Sequence, residues 1–323
     1  MLCHQDIADA LATHWNVRDA HVAPLLGGMN SSTWTVSHRN RRWVAKAVPL
    51  GAPEEQFRHG LRLASRVEDA GIPTGAPEPT NGGHRVISAG AHALALLRWV
   101  DGRELDGGAQ ADAVLMGATL GRVHAALGTT PVARAEALAR FDLLPPDQGA
   151  ALALRPWIRP AVTAAVARLR ALRPETLTWG PAHGDPAPEH FRLDPVTGRC
   201  GLIDWGSVGT WPLMYDVATL VLDAGGPARA RPLLDAYLHH SGVPEAEAER
   251  ALIPLLDFRH ALVAVYYAGR IVRGDMTGTT ELSKNEAQLE TARRWLHRHP
   301  ATAQSWPEGR AEPARAPLNS PAR

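Results

Sequence analysis

Two aspartates carry the strongest chemical signal in the sequence. Asp185 ends a His-Gly-Asp segment, and Asp204 lies in a Leu-Ile-Asp-Trp-Gly segment, so that each stands beside or near a glycine at the end of an apolar run. Such a pair can divide its work, because one carboxylate can orient or deprotonate a nucleophile while the other holds a divalent cation. A single loop aspartate is ordinarily a turn cap. The inference therefore depends on the two segments together.

These segments resemble the signature of the aminoglycoside phosphotransferase and choline kinase-like family of small-molecule kinases. The family pattern is His-Gly-Asp, four residues, Asn, an apolar-Asp-Trp/Phe/Leu segment and a later Asp-Leu-Ala. This chain supplies His-Gly-Asp at 183–185, Leu-Ile-Asp-Trp at 202–205 and Tyr-Asp-Val-Ala at 215–218. The resemblance covers about Leu26 to Arg270. It implies an α+β, two-lobed protein-kinase-like fold with a small antiparallel-sheet N-lobe and a larger, mainly helical C-lobe.

The resemblance also implies a role for each carboxylate. Asp185 would position the substrate hydroxyl and accept its proton, and Asp204 would bind the Mg²⁺ that bridges the phosphates of ATP or GTP. Asp216 looks like the structural aspartate that braces the catalytic loop. The expected partners are a nucleoside triphosphate and a small hydroxylated molecule.

The first hundred residues gain a nucleotide-binding interpretation from the same resemblance. The expected nucleotide contacts are Gly28, Asn30, Ser31, Ser32, Lys46, Arg98 and Val100. The small residues of the first loop would expose backbone N–H groups to the phosphates, although a Gly-Gly pair is also typical of a hairpin-entry turn. Lys46 would contact the α- and β-phosphates; the alternative is a lysine that keeps an edge strand soluble. The backbone of Arg98 and Val100 would face the purine.

His190 occupies the position where the family usually has asparagine. The carbonyl oxygen of asparagine suits Mg²⁺, whereas a neutral imidazole suits Zn²⁺ or Mn²⁺ better. Two roles are open. His190 lies in the metal site, directly or through water and with Glu189 as a further contributor, or it packs the loop while Asp204 holds the metal.

The glutamate that pairs with the phosphate-binding lysine in the family has no clear counterpart. Its expected position falls near His59 or Gly60, neither of which is acidic. Glu55, about one turn earlier, is the candidate partner of Lys46. An exposed position at the start of a helix, favourable to the helix dipole, explains Glu55 equally well.

Hydrophobic periodicity and turn signals predict the elements that must position these residues. The first part of the chain is expected to form, in order, a helix at 5–15, a strand hairpin at 33–36 and 42–48, a helix at 54–70 and a buried strand at 93–100. The later helices are expected at 111–127, 161–172, 232–239, 252–272 and 284–296, and the only later strands at 191–193 and 201–203.

Three regions follow from this order of elements. Residues 1–97 are expected to be the nucleotide-binding N-lobe, and residues 98–300 the helical C-lobe with the catalytic loop and substrate site. Residues 301–323 are rich in Pro, Ala, Arg and Glu without apolar periodicity. They are predicted to be a disordered tail.

Composition argues against several other classes of protein. The chain has 34 Lys and Arg against 33 Asp and Glu, a formal charge of +1, and a nucleic-acid binder needs clustered basic residues. The two cysteines, Cys3 and Cys200, have no CxxC spacing, which argues against a disulfide framework or a cysteine zinc site. No uncharged apolar run approaches the ~18 residues that would span a bilayer, and His4 and Asp6 stand where a secretory signal has basic and then apolar residues, so no such signal is expected. A cytoplasmic protein without a nucleic-acid or membrane partner is expected.

The resemblance makes an antibiotic or sugar-containing molecule the expected phosphate acceptor, with antibiotic resistance as the leading role. The acidic residues of the C-lobe are scattered among many arginines; the candidates are Asp223, Asp235, Asp257 and Asp275. Because aminoglycosides are polycations, this distribution favours a less cationic acceptor, for example a macrolide or nucleoside, at least as much.

Three alternatives remain open at this point. A choline- or homoserine-like metabolite kinase would use the same residues. A nucleotide-binding pseudokinase would explain the missing glutamate and His190, but not the presence of both Asp185 and Asp204. A metal hydrolase could use His183, Asp185, His190 and Asp204 as ligands, but it would leave the lysine and the glycine loop without a role.

Overall fold

The computed structural model describes residues 2–25, 31–144, 146–276 and 281–298, which form ten α-helices and ten β-strands. The helices are α1 (His4–Trp15), α2 (Ala52–Asp69), α3 (Gln110–Leu127), α4 (Arg134–Arg140), α5 (Gly149–Ala153), α6 (Ile158–Ala171), α7 (Met214–Asp223), α8 (Arg231–Ser241), α9 (Glu245–Arg273) and α10 (Leu282–Leu296). The strands are β1 (His21–Pro24), β2 (Ser32–His38), β3 (Arg41–Pro49), β4 (Ile87–Ala89), β5 (His92–Arg98), β6 (Arg103–Glu104), β7 (Trp179–Ala182), β8 (Phe191–Leu193), β9 (Cys200–Leu202) and β10 (Gly209–Pro212).

The N-lobe is one five-stranded antiparallel sheet in the order β1-β2-β3-β5-β4. Because side chains alternate across a strand, Trp43, Ala45 and Ala47 of β3 pack with α1 on one face. Lys46 lies between them in the sequence and therefore points to the opposite face. In the ladder it stands opposite Thr33 on β2 and Ala95 on β5, so it occupies an inner strand of the sheet.

The C-lobe is a helical body built around one large hydrophobic core. Helix α9 passes through this body and contacts α5, α6, α7 and α10. Its length and apolar composition would suffice to cross a membrane, but 61% of its most apolar window is buried inside the protein. Such burial is typical of a central helix in a folded core.

Two short antiparallel ladders carry the two aspartate segments of the C-lobe. Strand β7 pairs with β10, and β8 lies between β6 and β9. The segment 183–190 connects β7 to β8, and residues 203–208 connect β9 to β10. These ladders therefore hold the two aspartate loops next to each other at one end of the C-lobe.

The predicted helices and strands are present, with ends shifted by up to seven residues, and the two-lobed α+β fold is confirmed. The prediction of only two strands in the later part of the chain is wrong. Strands β6, β7 and β10 were not predicted there, the last two because Gly180, Pro181 and Pro212 argue against strands locally. Strands β1 and β4 and helices α4, α5 and α7 were not predicted either. The exact lobe boundaries stay a prediction, and the expected tail lies outside the described residues.

Candidate active site

The His-Gly-Asp loop is fixed from below by a buried carboxylate. Asp216, at the start of α7, accepts hydrogen bonds from the backbone N–H groups of His183 at 2.7 Å and Gly184 at 2.9 Å. Its Oδ2 atom also lies 3.1 Å from Nε2 of His124 on α3, whose Nδ1 atom is 2.9 Å from the Tyr237 hydroxyl. Burial would raise the pKa of Asp216, but these partners lower it below its ordinary value. The carboxylate thus anchors the loop as a charged acceptor.

A close backbone contact fixes the shape of the same loop. Gly184 has a φ of +85°, and a Cβ atom there would lie 2.0 Å from the Ser207 carbonyl oxygen. Only glycine combines this left-handed backbone with such an approach. The fully buried His183 side chain lies against the second aspartate loop, with Nε2 at 3.0 Å from the Ile203 carbonyl. The loops that carry Asp185 and Asp204 are therefore joined by direct contacts.

Lys46 of the N-lobe reaches across to Asp204 of the C-lobe. Its Nζ atom lies 2.6 Å from Oδ1 of Asp204. Burial would raise the pKa of Asp204, but the Lys46 charge and hydrogen bond, together with His190 and His183, lower it to about 2. Asp204 also has a φ of +63°, a left-handed conformation that aspartate tolerates better than most residues. The carboxylate is ionised and aimed by the backbone at the gap between the lobes.

His190 presents a free ring nitrogen to the same carboxylate. Its Nδ1 atom is 2.8 Å from the Asp185 backbone carbonyl, so Nδ1–H donates there. Its Nε2 atom lies 3.9 Å from Oδ2 of Asp204, and in the neutral ring this nitrogen would carry the lone pair. The described residues contain no cluster of three or more His, Cys, Asp or Glu side chains suited to a metal. Asp204 and His190 thus offer two protein ligands, which suits a cation whose remaining ligands are nucleotide phosphates and water. Two ligands do not suit the four-ligand centre of a metal hydrolase.

The Asp185 carboxylate lies near a guanidinium group. Nη2 of Arg259, in the middle of α9, lies 3.8 Å from Oδ1 of Asp185. Nη1 donates to the Tyr215 hydroxyl at 2.7 Å, and the guanidinium stands 5.1 Å from the centre of the Tyr215 ring. Burial lowers the pKa of Arg259, but Tyr215 and Asp185 outweigh it and raise the pKa, so this cation stays charged. The sequence gives one weak signal for it, an arginine within the apolar run of α9.

Asp223, at the end of α7, is the acidic candidate that lies near Asp185. Burial raises its pKa to about 6; Arg259 opposes this shift, while the charges of Asp185 and Glu189 add to it. The other three candidates are engaged elsewhere: Asp235 pairs with Arg231, Asp257 with Arg168 and Arg298, and Asp275 with Arg270. The surroundings of Asp185 thus combine one arginine with two carboxylates, Asp223 and Glu189.

The expected nucleotide residues are only partly described. Gly28 and Asn30 lie outside the described residues, whereas Ser31 leads into β2 and Ser32 pairs with Ala47 beside Lys46. Arg98 ends β5, and its backbone N–H donates to the Ala76 carbonyl at 3.1 Å. A purine contact of Arg98 would therefore have to use its carbonyl. That contact, and the one expected from Val100, stay predictions.

The structure does not bring Glu55 to Lys46. Glu55 is exposed in the first turn of α2, and within the described ranges no hydrogen bond or ion pair joins the two side chains. At Gly60, the position expected for the family glutamate, a Cβ atom would lie 1.9 Å from the Trp205 carbonyl oxygen. The helix is packed directly on the backbone after Asp204, which leaves no room there for any side chain. Lys46 uses Asp204 as its partner.

Comparison with known proteins agrees with this geometry. The model of the phosphotransferase enzyme family matches residues 21–254. The chain belongs to this family. It is therefore a phosphotransferase, as the resemblance of its aspartate segments implied. No curated protein matches the chain.

Solved kinase structures share the fold of this phosphotransferase at low sequence identity. Amicoumacin kinase hAmiN, solved with AMP-PNP, Ca²⁺ and Ami, is 16% identical with a TM-score of 0.67, and the match covers 91% of this chain and 93% of that one. A microcompartment-associated aminopropanol kinase is 15% identical with a TM-score of 0.68 and coverages of 90% and 94%. Choline kinase LicA from Streptococcus pneumoniae is 16% identical with a TM-score of 0.63 and coverages of 90% and 98%.

Proposed function

We propose that the protein transfers the γ-phosphate of ATP or GTP to a hydroxyl group of a small antibiotic-like or sugar-containing molecule. The observation that carries this proposal is the convergence of Lys46 and His190 on Asp204, next to the loop of Asp185. A lysine from one lobe and an ionised aspartate from the other form a charged pair at the place where nucleotide phosphates must bind in a two-lobed kinase.

In the proposed mechanism Asp185 is the catalytic residue. Its carboxylate orients the acceptor hydroxyl and accepts the proton as the oxygen forms a bond to the γ-phosphorus and the bond to the β–γ bridging oxygen breaks. Support comes from the fixed loop, because hydrogen bonds to Asp216 and the contact at Gly184 limit the freedom of this carboxylate. Such positioning is a main source of rate acceleration in phosphoryl transfer.

The charges around Asp204 would handle the nucleotide. Lys46 would move from Asp204 to the α- and β-phosphates or bridge both, and Ser31 and Ser32 would lie beside them. Asp204 and His190 would hold Mg²⁺, which when bound neutralises phosphate charge. The fixed Nδ1–H bond of His190 supports this role, because it leaves Nε2 free as a donor atom. We assign the purine contact to the backbone of Arg98 and Val100.

The acceptor side favours a hydroxylated molecule of mixed polarity. Arg259 places a positive charge 3.8 Å from Asp185, which opposes the approach of a second cation at that point. The carboxylates of Asp223 and Glu189 would attract one amine of the acceptor at a point further from the reacting hydroxyl. An antibiotic with few amines satisfies both conditions, and resistance would be the physiological role. A small amino alcohol, as the names of the aminopropanol and choline kinases suggest, is the second candidate.

The test is product formation from a panel of acceptors. Purified protein is incubated with Mg²⁺ and either ATP or GTP against macrolides, nucleosides, aminoglycosides, choline, aminopropanol and homoserine, and products are examined by mass spectrometry. We expect one phosphoryl group, an increase of about 80 Da, on one class of acceptor.

Matched variants separate this mechanism from its alternatives. Asp185→Asn should abolish the product, whereas Asp69→Asn, an exposed aspartate on α2, should leave it unchanged. Product that persists in Asp185→Asn overturns the assigned mechanism. Nucleotide binding without turnover on any acceptor favours a pseudokinase, and phosphorylation of choline or aminopropanol alone replaces the antibiotic by a metabolite.

A further inference from the structure

The hydrogen bond of His190 decides which of its two ring nitrogens can bind a ligand. Nδ1 lies 2.8 Å from the backbone carbonyl oxygen of Asp185. A carbonyl oxygen can only accept, so the hydrogen of this bond is on Nδ1. In the neutral ring Nε2 therefore carries a lone pair, and it is the atom that can bind a cation.

The Nε2 atom lies beside a second atom that is also without a hydrogen bond. Lys46 occupies Oδ1 of Asp204, whereas Oδ2 of Asp204 and Nε2 of His190 form no hydrogen bond within the part of the chain that the structure describes. These two atoms are 3.9 Å apart, and the side chains keep 45% and 18% of their surface exposed. An octahedral cation with bonds of about 2.1 Å holds neighbouring ligand atoms about 3 Å apart. An approach of about 1 Å would therefore let one cation bind both atoms.

One nitrogen and one carboxylate oxygen do not favour the same cations. Mg²⁺ prefers oxygen ligands, whereas imidazole is a ligand of first-row transition metals. The other ligands at this place would be nucleotide phosphates and water, and Mn²⁺ accepts such oxygen atoms as Mg²⁺ does. A transition cation such as Mn²⁺ therefore suits every ligand of the set, but Mg²⁺ suits all except the imidazole.

We propose that Nε2 of His190 binds the cation directly and gives the site a preference for first-row transition cations, with Mn²⁺ as the probe, over Mg²⁺. This inference rests on the proposed function, in which Asp204 and His190 hold the cation that accompanies the nucleotide. Mg²⁺ still binds through Asp204 and the phosphates, so the preference is a difference in affinity and excludes neither cation. It depends on one side chain and can be changed separately from Asp185.

Calorimetric titration of Mn²⁺ and of Mg²⁺ into the full chain saturated with ADP measures this preference. ADP itself binds the two cations with different strengths, so the ratio of the two dissociation constants is compared between proteins. His190→Asn keeps an N–H donor for the Asp185 carbonyl but has no atom at the place of Nε2. We expect the Mn²⁺ preference to be about tenfold smaller in this variant. It should be unchanged in His239→Asn, which alters an exposed histidine on α8. Equal ratios in wild type and His190→Asn overturn the proposal.

Pulsed EPR of the bound Mn²⁺ identifies its ligand in the wild-type protein. Full chain labelled with ¹⁵N-histidine and mixed with unlabelled ADP should show a ¹⁵N coupling to Mn²⁺, and labelled His190→Asn should not. Coupling to ¹⁴N alone refutes His190 as a ligand, because only unlabelled nitrogen, such as that of adenine, would then be close to the cation. Phosphate transfer without the ¹⁵N coupling overturns this inference but leaves the proposed function standing. Absence of ADP binding with either cation overturns both.

Discussion

The anchoring of the His-Gly-Asp loop by Asp216 can be tested with one isosteric change, Asp216→Asn. In the native protein Oδ1 accepts from Gly184 N–H, and Oδ2 accepts from His183 N–H and faces His124. An asparagine side chain keeps only one oxygen. Its NH2 group is a donor and would face at least one of the two backbone N–H donors, which would then lose its acceptor. Water cannot replace that acceptor, because Asp216 is 0% exposed.

The expected cost follows from these contacts. A buried donor left without an acceptor costs about 1–3 kcal/mol, and hydrogen bonds to a charged acceptor contribute more than those to a neutral one. Removing a charge from a buried site also recovers part of its desolvation cost. We therefore expect Asp216→Asn to lower the free energy of unfolding by about 3 kcal/mol at pH 7.

Urea unfolding of wild type and variant at several pH values measures this effect. Because the pKa of Asp216 is lowered in the folded protein, its stabilisation is present above the unfolded pKa near 4 and is lost as pH falls through the lower folded pKa. The difference between the two proteins should therefore shrink below pH 4. Asp69→Asn, with an exposed side chain, is the control and should change stability by less than about 0.5 kcal/mol. An Asp216→Asn protein as stable as wild type at pH 7 would refute the anchoring role.

Three further predictions concern other charges and contacts of the site. Lys46→Met should raise the pKa of Asp204 from about 2 toward its ordinary value, as measured by a carboxyl NMR titration. After discounting for solvent screening, the ion pair contributes about 1 kcal/mol to stability above pH 4, and this contribution is lost as the pH falls toward 2. An Asp204 pKa that does not change in the variant contradicts the pairing. Gly60→Ala should lower the free energy of unfolding, measured in urea, by about 2 kcal/mol, because steric overlap with the Trp205 carbonyl outweighs the gain of about 1 kcal/mol in helix propensity. Gly149→Ala, with open space at Cβ, is the control. A Gly60→Ala protein more stable than wild type would exclude the close contact. Asp223→Asn should raise the free energy of unfolding by about 1 kcal/mol at pH 8 but not near pH 4. The reason is that the wild-type carboxylate is ionised above its raised pKa of about 6, and the folded protein disfavours this ionised form. A difference of equal size at both pH values would show that ionisation is not its cause.

The aspartate segments could be recognised because their residues are close in sequence and their types are distinctive. A His-Gly-Asp loop, a second aspartate after an apolar strand and a third aspartate in a Tyr-Asp-Val-Ala segment indicated the family that the comparison then showed. Asp216 was predicted as a brace, and it accepts the two loop N–H groups. The strand at 42–48, which carries Lys46, was also predicted correctly.

Other parts depended on distant contacts and could not be predicted in this way. Arg259 lies far along the chain from Asp185 and meets it only through the packing of α9. Helix α7 is short, and its residues from Met214 to Val221 are all buried, so from the sequence this apolar run could equally be a buried strand. The missing glutamate has a steric explanation that no sequence pattern contains, because Gly60 touches the backbone that follows Asp204.

The most direct test of the proposed mechanism is the rate of γ-phosphate transfer in Asp185→Asn at saturating nucleotide and acceptor. The account predicts a rate at least 100-fold below that of wild type, with nucleotide affinity within about twofold of wild type, because Asp185 contacts the acceptor while Lys46 and Asp204 hold the phosphates. Asp69→Asn should transfer phosphate at the wild-type rate. An Asp185→Asn protein that transfers phosphate as fast as wild type would contradict the assignment of Asp185 as the catalytic base.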